Sequence, residues 1–390
     1  MMNLKHCLFA ALIPITCISA NAQSAKTAEG NNMFAFEIFR QVFSENKNVF
    51  LSPYSISAAL AMTYAGARNE TELQMSKVFH FDLIQKNTHE GFFTINKNLD
   101  RFKNDTTIKL SIANALWKAE YCVFKPEYFE LTKKYYNSSV FTLTNAKAIN
   151  DWVKKETNNK IDELVTDQDL VAAKLVLTNA IYFKADWFVS FDKVNTKKDK
   201  FTTLEKKEII VDMMFRKDDA NYFEDEQNQV LELPYKGKSM SMFIILPKTG
   251  NSIETLVKDL DSKLFEDYVL KLKTENVNIF IPKFSYKSDF ELNDVLVKMG
   301  MPDAFSSMAA DFSGMSLNLY ISKVKHQSFI EVNEQGSEAA AATVVIMRQN
   351  SAAIFKEKIF RANRPFIYLI RDNQTKSILF IGSILNPSVN

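Results

Sequence analysis

Acid–base, nucleophilic and metal chemistry need imidazoles, thiols or carboxylates brought together, and this sequence offers few. Its histidines are His6, His80, His89 and His326; its cysteines are Cys7, Cys17 and Cys122. No two histidines stand four apart, and neither H-E-x-x-H nor C-x-x-C occurs, so no metal site is expected. No G-x-S-x-G elbow or phosphate-cradling glycine loop is present either. A Cys122–His dyad stays open, because such partners meet only in space. Between Tyr121 and Val123, however, the thiol reads as a half-buried strand residue. The pattern argues against an enzyme, and no cofactor is called for.

The stretch with unusual chemistry runs from Glu331 to Asn350. Before Gly336, Ser322 to Val332 alternates like a strand, with Val324, His326, Ser328, Ile330 and Val332 on one face. After Gly336 come four alanines and then Thr343-Val-Val-Ile346, a mixture that fits a short helix or a strand by propensity. Continued at period two, Ser337, Ala339, Ala341, Thr343, Val345 and Met347 share a face without a charge, while Glu338 and Arg348 point the other way. Such a segment can enter the middle of a sheet without burying a charge.

The remaining elements form the setting. Phe36, Phe39 and Phe43 with Ala35, Ile38 and Val42 predict a helix over 32–44. Val49 to Leu51 suits a buried strand, and Ser52-Pro53 caps the start of an Ala-rich helix that is apolar nearly all round. Ser111 to Trp117 reads as a strand and Asn150 to Thr157 as a helix. The continuous apolar run Leu175 to Phe183 predicts a strand buried on both faces. A hairpin is expected around Lys236-Gly237, a strand over Val277 to Phe284, and a helix through Leu292, Leu296 and Met299 closed by Gly300. Two strands, 364–371 and 377–384, finish the chain.

Of the 390 residues, 46% are apolar, ample for a large core, and only nine glycines and nine prolines argue against long linkers. A net charge of +2 without a basic stripe gives no reason to invoke nucleic acid. Residues 1–22 read as a signal peptide: Lys5 and His6, an apolar run from Cys7 to Ile18, then Ala20-Asn-Ala22 as a cleavage site. The run is too short for a membrane span, and a lipoprotein signal at Cys17 lacks the expected residues at Pro14 and Thr16. Export is therefore expected, to the outside of the cell or, in a bacterium, to the periplasm or cell surface. Only Cys122 would remain, so no internal disulfide can form. Glycosylation sequons stand at Asn69, Asn104, Asn137 and Asn373 and matter only in a eukaryotic secretory pathway.

Several of these motifs together resemble the serpin family. They are the hinge Glu334, Gly336, Ser337, Glu338, Ala339, Ala340, Ala341 and Ala342; the segment Asn48 to Ala67; Leu175 to Phe183 followed by Lys184-Ala-Asp-Trp187; and Ala310-Asp-Phe-Ser-Gly-Met315. The resemblance extends from about Asn31 to Pro387, with Asn69 and Ala185 standing where the family usually has glycine. It implies an α+β serpin fold for 23–390. That fold has a large, mostly antiparallel central sheet, additional sheets, about nine helices and an exposed reactive-centre loop at about 336–360. It also implies that Ser52, Ser55, Asn179 and His326 form a buried polar cluster beneath the sheet, with Trp187 where the loop first enters.

The function implied is suicide inhibition of serine endopeptidases, with cysteine endopeptidases as a second class of target, in a covalent 1:1 complex formed by a monomer that can also give loop–sheet polymers. The cleaved loop becomes a new strand and drags the acylated protease with it. Counting the family's hinge length from Glu334 puts the scissile bond at Asn350–Ser351. Arg348–Gln349 is the alternative on side-chain chemistry. A non-inhibitory carrier or chaperone is the rival function, although no bulky residue, charge other than Glu338, or proline lies between Gly336 and Ala342.

Overall fold

The computed structural model describes residues 15–136, 139–337 and 357–388. In chain order its helices are α1 (Ile15–Val42), α2 (Pro53–Tyr64), α3 (Asn69–Phe79), α4 (Gln85–Leu99), α5 (Pro126–Tyr136), α6 (Ala146–Glu156), α7 (Ile253–Asp259), α8 (Ser262–Lys271) and α9 (Asn293–Met299). The strands are β1 (Val49–Leu51), β2 (Ile108–Lys118), β3 (Ser139–Thr142), β4 (Leu175–Asp186), β5 (Lys197–Thr202), β6 (Glu208–Glu224), β7 (Asn228–Pro234) and β8 (Met240–Pro247). They continue with β9 (Lys273–Pro282), β10 (Phe284–Glu291), β11 (Lys323–Val332), β12 (Gly336–Ser337), β13 (Lys358–Arg361), β14 (Phe366–Asp372) and β15 (Ile378–Ile384).

Two sheets organise these elements. Six strands lie in the order β10-β11-β12-β4-β2-β3, and the others form a second, larger sheet that includes the buried strands β8, β14 and β15. The six-stranded sheet is mixed. β10–β11 and β2–β4 run antiparallel, whereas β11–β4 and β2–β3 run parallel.

β4 is buried through Phe183, as its unbroken apolar run requires, because both of its faces are covered. On one side lies α2, every residue of which is buried. Its start is fixed by Ser52, whose Oγ accepts from the Ser55 amide at 3.2 Å, with Pro53 in the first turn. On the other side α6 packs Ile149 and Val153 over Trp117, Val176 and Ala180 in a second, smaller core.

Several sequence expectations need adjustment. The first helix is longer than 32–44, running from Ile15 to Val42, since nothing between 15 and 31 has the ring of a proline to stop it. From Asn21 onward its first buried position is Ala28, whereas Asn21 and Ala22 are exposed. The helix expected over 150–157 starts earlier, where the Asn145 side chain accepts from the Ala148 amide at 2.9 Å. Phe284 belongs to β10, not to the strand ending at Pro282. Cys122 is not a strand residue. It lies in the turn after β2, its amide bonded to Ala119 O at 3.0 Å, with its thiol buried. Burial raises the thiol's pKa, opposed by Lys174 and Lys118, so it has no nucleophile's profile. Asn69, standing at a usual glycine, has φ 51°, a left-handed conformation that Asn accepts more readily than most residues.

Candidate functional site

The site is the seam between β11 and β4. These strands pair directly from Lys323↔Val176 to Phe329↔Tyr182. Beyond that point they part, and the chain after β11 turns back between them as β12. Ser337 pairs with Val332 on one side and Ala185 on the other, and Gly336 lies opposite Asp186. Two hinge residues, Gly336 and Ser337, are thus already seated as a central strand.

Gly336 has no alternative there. A Cβ built on it would lie 2.0 Å from Ala185 O and 2.7 Å from Asp186 Cα, both backbone atoms that cannot swing aside. Ser337 is fully buried, as the period-two reading expects of an inward position. Its hydroxyl meets the Tyr235 hydroxyl at 2.9 Å. Tyr235 stacks on Trp187 with ring centroids 4.7 Å apart, and Trp187 Nε1 donates to Asn333 O at 3.0 Å. The turn into β12 is bound by backbone as well: the amides of Trp187 and Phe191 donate to Gln335 O and Glu334 O, each at 2.7 Å.

Glu334, 4% exposed, takes hydrogen bonds from Thr196 Oγ1 at 2.9 Å and Lys283 Nζ at 3.2 Å. Burial alone would raise its pKa. Hydrogen bonds from its own amide, Lys283 and Thr196, with the Lys283 charge, hold it below the ordinary carboxylate value.

Lower in the same seam, a polar row crosses three strands in register: His326 on β11, Asn179 on β4 and Asn114 on β2. His326 Nε2 accepts from the Ser52 amide at 3.1 Å. Its proton is therefore on Nδ1, which donates to Asn179 Oδ1. Asn179 Nδ2 donates in turn to Ser55 Oγ and Asn114 Oδ1. Ser55 Oγ also donates to Asn114 Oδ1 at 3.2 Å, while Ser52 Oγ donates to Leu379 O at 2.7 Å. Burial depresses the His326 pKa to about 3, so the ring is neutral at ordinary pH. The row has its hydrogen bonds met, the condition under which buried polar groups hold a core in one arrangement.

Sequence reasoning named Ser52, Ser55, Asn179, Trp187, His326, Glu334, Gly336 and Ser337, and the structure brings them together along this one seam. Glu338, Ala339, Ala340, Ala341, Ala342, Arg348, Gln349, Asn350 and Ser351 lie outside the described residues. Three further participants were missed. Asn114 was legible as the polar residue in an otherwise apolar strand face. Tyr235 and Lys283 carry no local signal, because only tertiary packing brings them to the hinge. Among the described residues no group of His, Cys, Asp and Glu is arranged to hold a metal.

β12 is thus a two-residue strand seated between two mutually parallel neighbours, over a polar row whose hydrogen bonds are met. The chain belongs to the serpin family: the family model for serpins (serine protease inhibitors) matches residues 29–387. It is 38% identical over 372 residues to the leukocyte elastase inhibitor of Xenopus tropicalis, covering 91% of this chain and 97% of that protein. Among solved structures it is similar to tengpin, a thermophilic serpin in its native state, with TM-score 0.85 and 32% identity over 92% of this chain and 94% of the other. Human thyroxine-binding globulin in complex with thyroxine has TM-score 0.84 and 29% identity, over 94% of this chain and all of the other. The fold therefore occurs in a relative named as an elastase inhibitor and in one named for binding thyroxine.

Proposed function

We propose that this chain inhibits serine endopeptidases as a suicide substrate, trapping the acyl-enzyme by inserting its cleaved loop into the seam between β11 and β4. The observation that carries this reading is the register of β12: Gly336 and Ser337 are already hydrogen-bonded between the strands that a longer insert would separate. By sequence alternation, Glu338 and the four alanines that follow would put no large side chain on the inward face of an inserted strand. About fifteen inserted residues at ~3.3 Å each would carry the attached protease roughly 50 Å.

Incubation with a panel of serine and cysteine proteases, resolved on denaturing gels, tests this directly. A covalent 1:1 adduct is expected, and mass spectrometry of the released C-terminal peptide should place the cut within Ile346 to Ser351. Asn350–Ser351 is favoured by hinge length and Arg348–Gln349 by side-chain chemistry. Cleavage without adduct would favour the carrier reading. We further infer export after removal of residues 1–22. The buried positions Ala28, Phe34, Ala35, Phe36, Ile38, Phe39 and Val42 of α1 all lie after residue 22, so the processed chain keeps them. The secreted protein should begin at Gln23 by N-terminal sequencing. Among the described residues no helix is long and apolar enough to cross a membrane.

A further inference from the structure

Between α6 and β4 the chain runs across the outer face of the six-stranded sheet as a strap, residues 157–174. One half is fixed to the β2–β4 side. Ile161, Leu164 and Val165 join the core under α6, and Asn150 receives the amides of Leu164 at 2.9 Å and Val165 at 3.1 Å. The other half reaches over the seam to β11, where Asp169 Oδ1 meets Lys323 Nζ at 3.3 Å and Lys325 Nζ at 3.4 Å. The two oxygens of Asp169 divide the work. Oδ2 closes its own turn by accepting from the Thr166 amide at 2.9 Å and hydroxyl at 3.0 Å, which leaves Oδ1 for the lysines. Both lysines also face Glu291 on β10, at 3.0 and 3.8 Å.

We propose that Asp169, Lys323 and Lys325 form an ionic clasp across the seam, which must open before the loop can insert. The inference rests on the insertion reading above. A new strand between β4 and β11 widens their separation by about 4.8 Å. Asp169 is carried with the β2–β4 side and the lysines with β11, so pairs at 3.3 and 3.4 Å cannot survive that shift unless the strap peels from α6. The side chains are only 13–20% exposed, so solvent screens these pairs less than a surface pair. Burial works to raise the Asp169 pKa, yet the Thr166 hydrogen bonds and the lysine charges bring it to about 2, so the clasp stays charged at physiological pH. The clasp would therefore set how fast the lower seam opens, and so how often a protease is trapped before it escapes.

The test uses the full native protein and a fluorescein-labelled peptide copying Glu338–Asn350, whose annealing is followed by anisotropy. Asp169→Asn and Lys325→Met should each take up the peptide about three- to tenfold faster than wild type, with the double variant little faster than either. Lys325→Met leaves the Asp169 turn intact, which separates loss of the clasp from loosening of the strap. Lys271→Met, which removes an exposed pair with Asp267 on α8, should leave the rate unchanged. Annealing by wild type with no acceleration in Lys325→Met overturns the clasp alone. Refusal of the peptide by every form, with no gain in heat stability on loop cleavage, overturns the insertion reading and the clasp with it.

Discussion

His326 is where one proton has the most leverage. In the unfolded chain it titrates near 6.5, and in the native protein burial lowers that to about 3; His89, buried among tyrosines, is lowered to about 4. Between the two pKa values the unfolded chain binds the extra proton. Native stability should therefore be fully present above about pH 6.5 and fall as pH drops toward 3, by on the order of a few kcal/mol. Asp186 and Asp289, raised by burial, act in the opposite sense, so a variant comparison isolates the imidazole. His326→Gln should melt lower than wild type at pH 7.5 but with a flatter decline to pH 4; parallel profiles would contradict this. The hinge residues give a second prediction. Ser337→Arg and Ala339→Arg should turn the inhibitor into a substrate, because each brings a charge to the inward face at several kcal/mol. Ala340→Arg, outward by alternation, should still form adducts. Gly336→Ala should unseat β12 altogether, seen as a lower native melting temperature. The inward register of Ser337 was legible from its small polar type and spacing, and His326 from its place on an apolar strand face. That Ser337 would meet the Tyr235 hydroxyl was not, since Tyr235 lies 102 residues away along the chain.

At the scale of elements, short patterns fixed the interior better than the ends. Uninterrupted apolar runs made β4 and α2 readable, because burial on all sides leaves a one-sided composition. The N-terminal extent of α1 was not readable, because Ile15 to Ala22 belong to the apolar stretch read as a signal peptide and set apart from the fold. Cys122 was misplaced for a related reason: Tyr121, Cys122 and Val123 look like a strand locally, yet Tyr121 and Val123 are exposed and the segment turns toward α5. α4 supports a prediction about activation. Lys86 pairs with Glu90 at 3.6 Å, Lys103 with Asp100 at 2.7 Å, and Arg101 with Asp372, while Lys97 lies over the Phe93 ring. These cations are balanced within the surface and form no stripe for a polyanion. Heparin should change the association rate with a target protease by less than about twofold, and a large acceleration would show that an anion site exists elsewhere on the molecule.

For the whole molecule, the proposed trapping mechanism requires a native state that is folded but not at its lowest free energy. On that mechanism, the β11–β4 ladder would open for one more strand, continuing from Gly336 and Ser337, which already lie between the two. Inserting that strand replaces one ladder by two and adds inward contacts along its length, so it should stabilise the protein well beyond its native level. Composition could not reveal this, because the same residues serve both arrangements; the alternation after Gly336 was the only trace of the second. The direct measurement is the thermal unfolding of the full protein before and after a single cut in the loop by a protease that forms no adduct. The melting temperature should rise sharply after cleavage, and should rise less in Ser337→Arg and Ala339→Arg. An unchanged or lower melting temperature in the cleaved wild type would contradict the account.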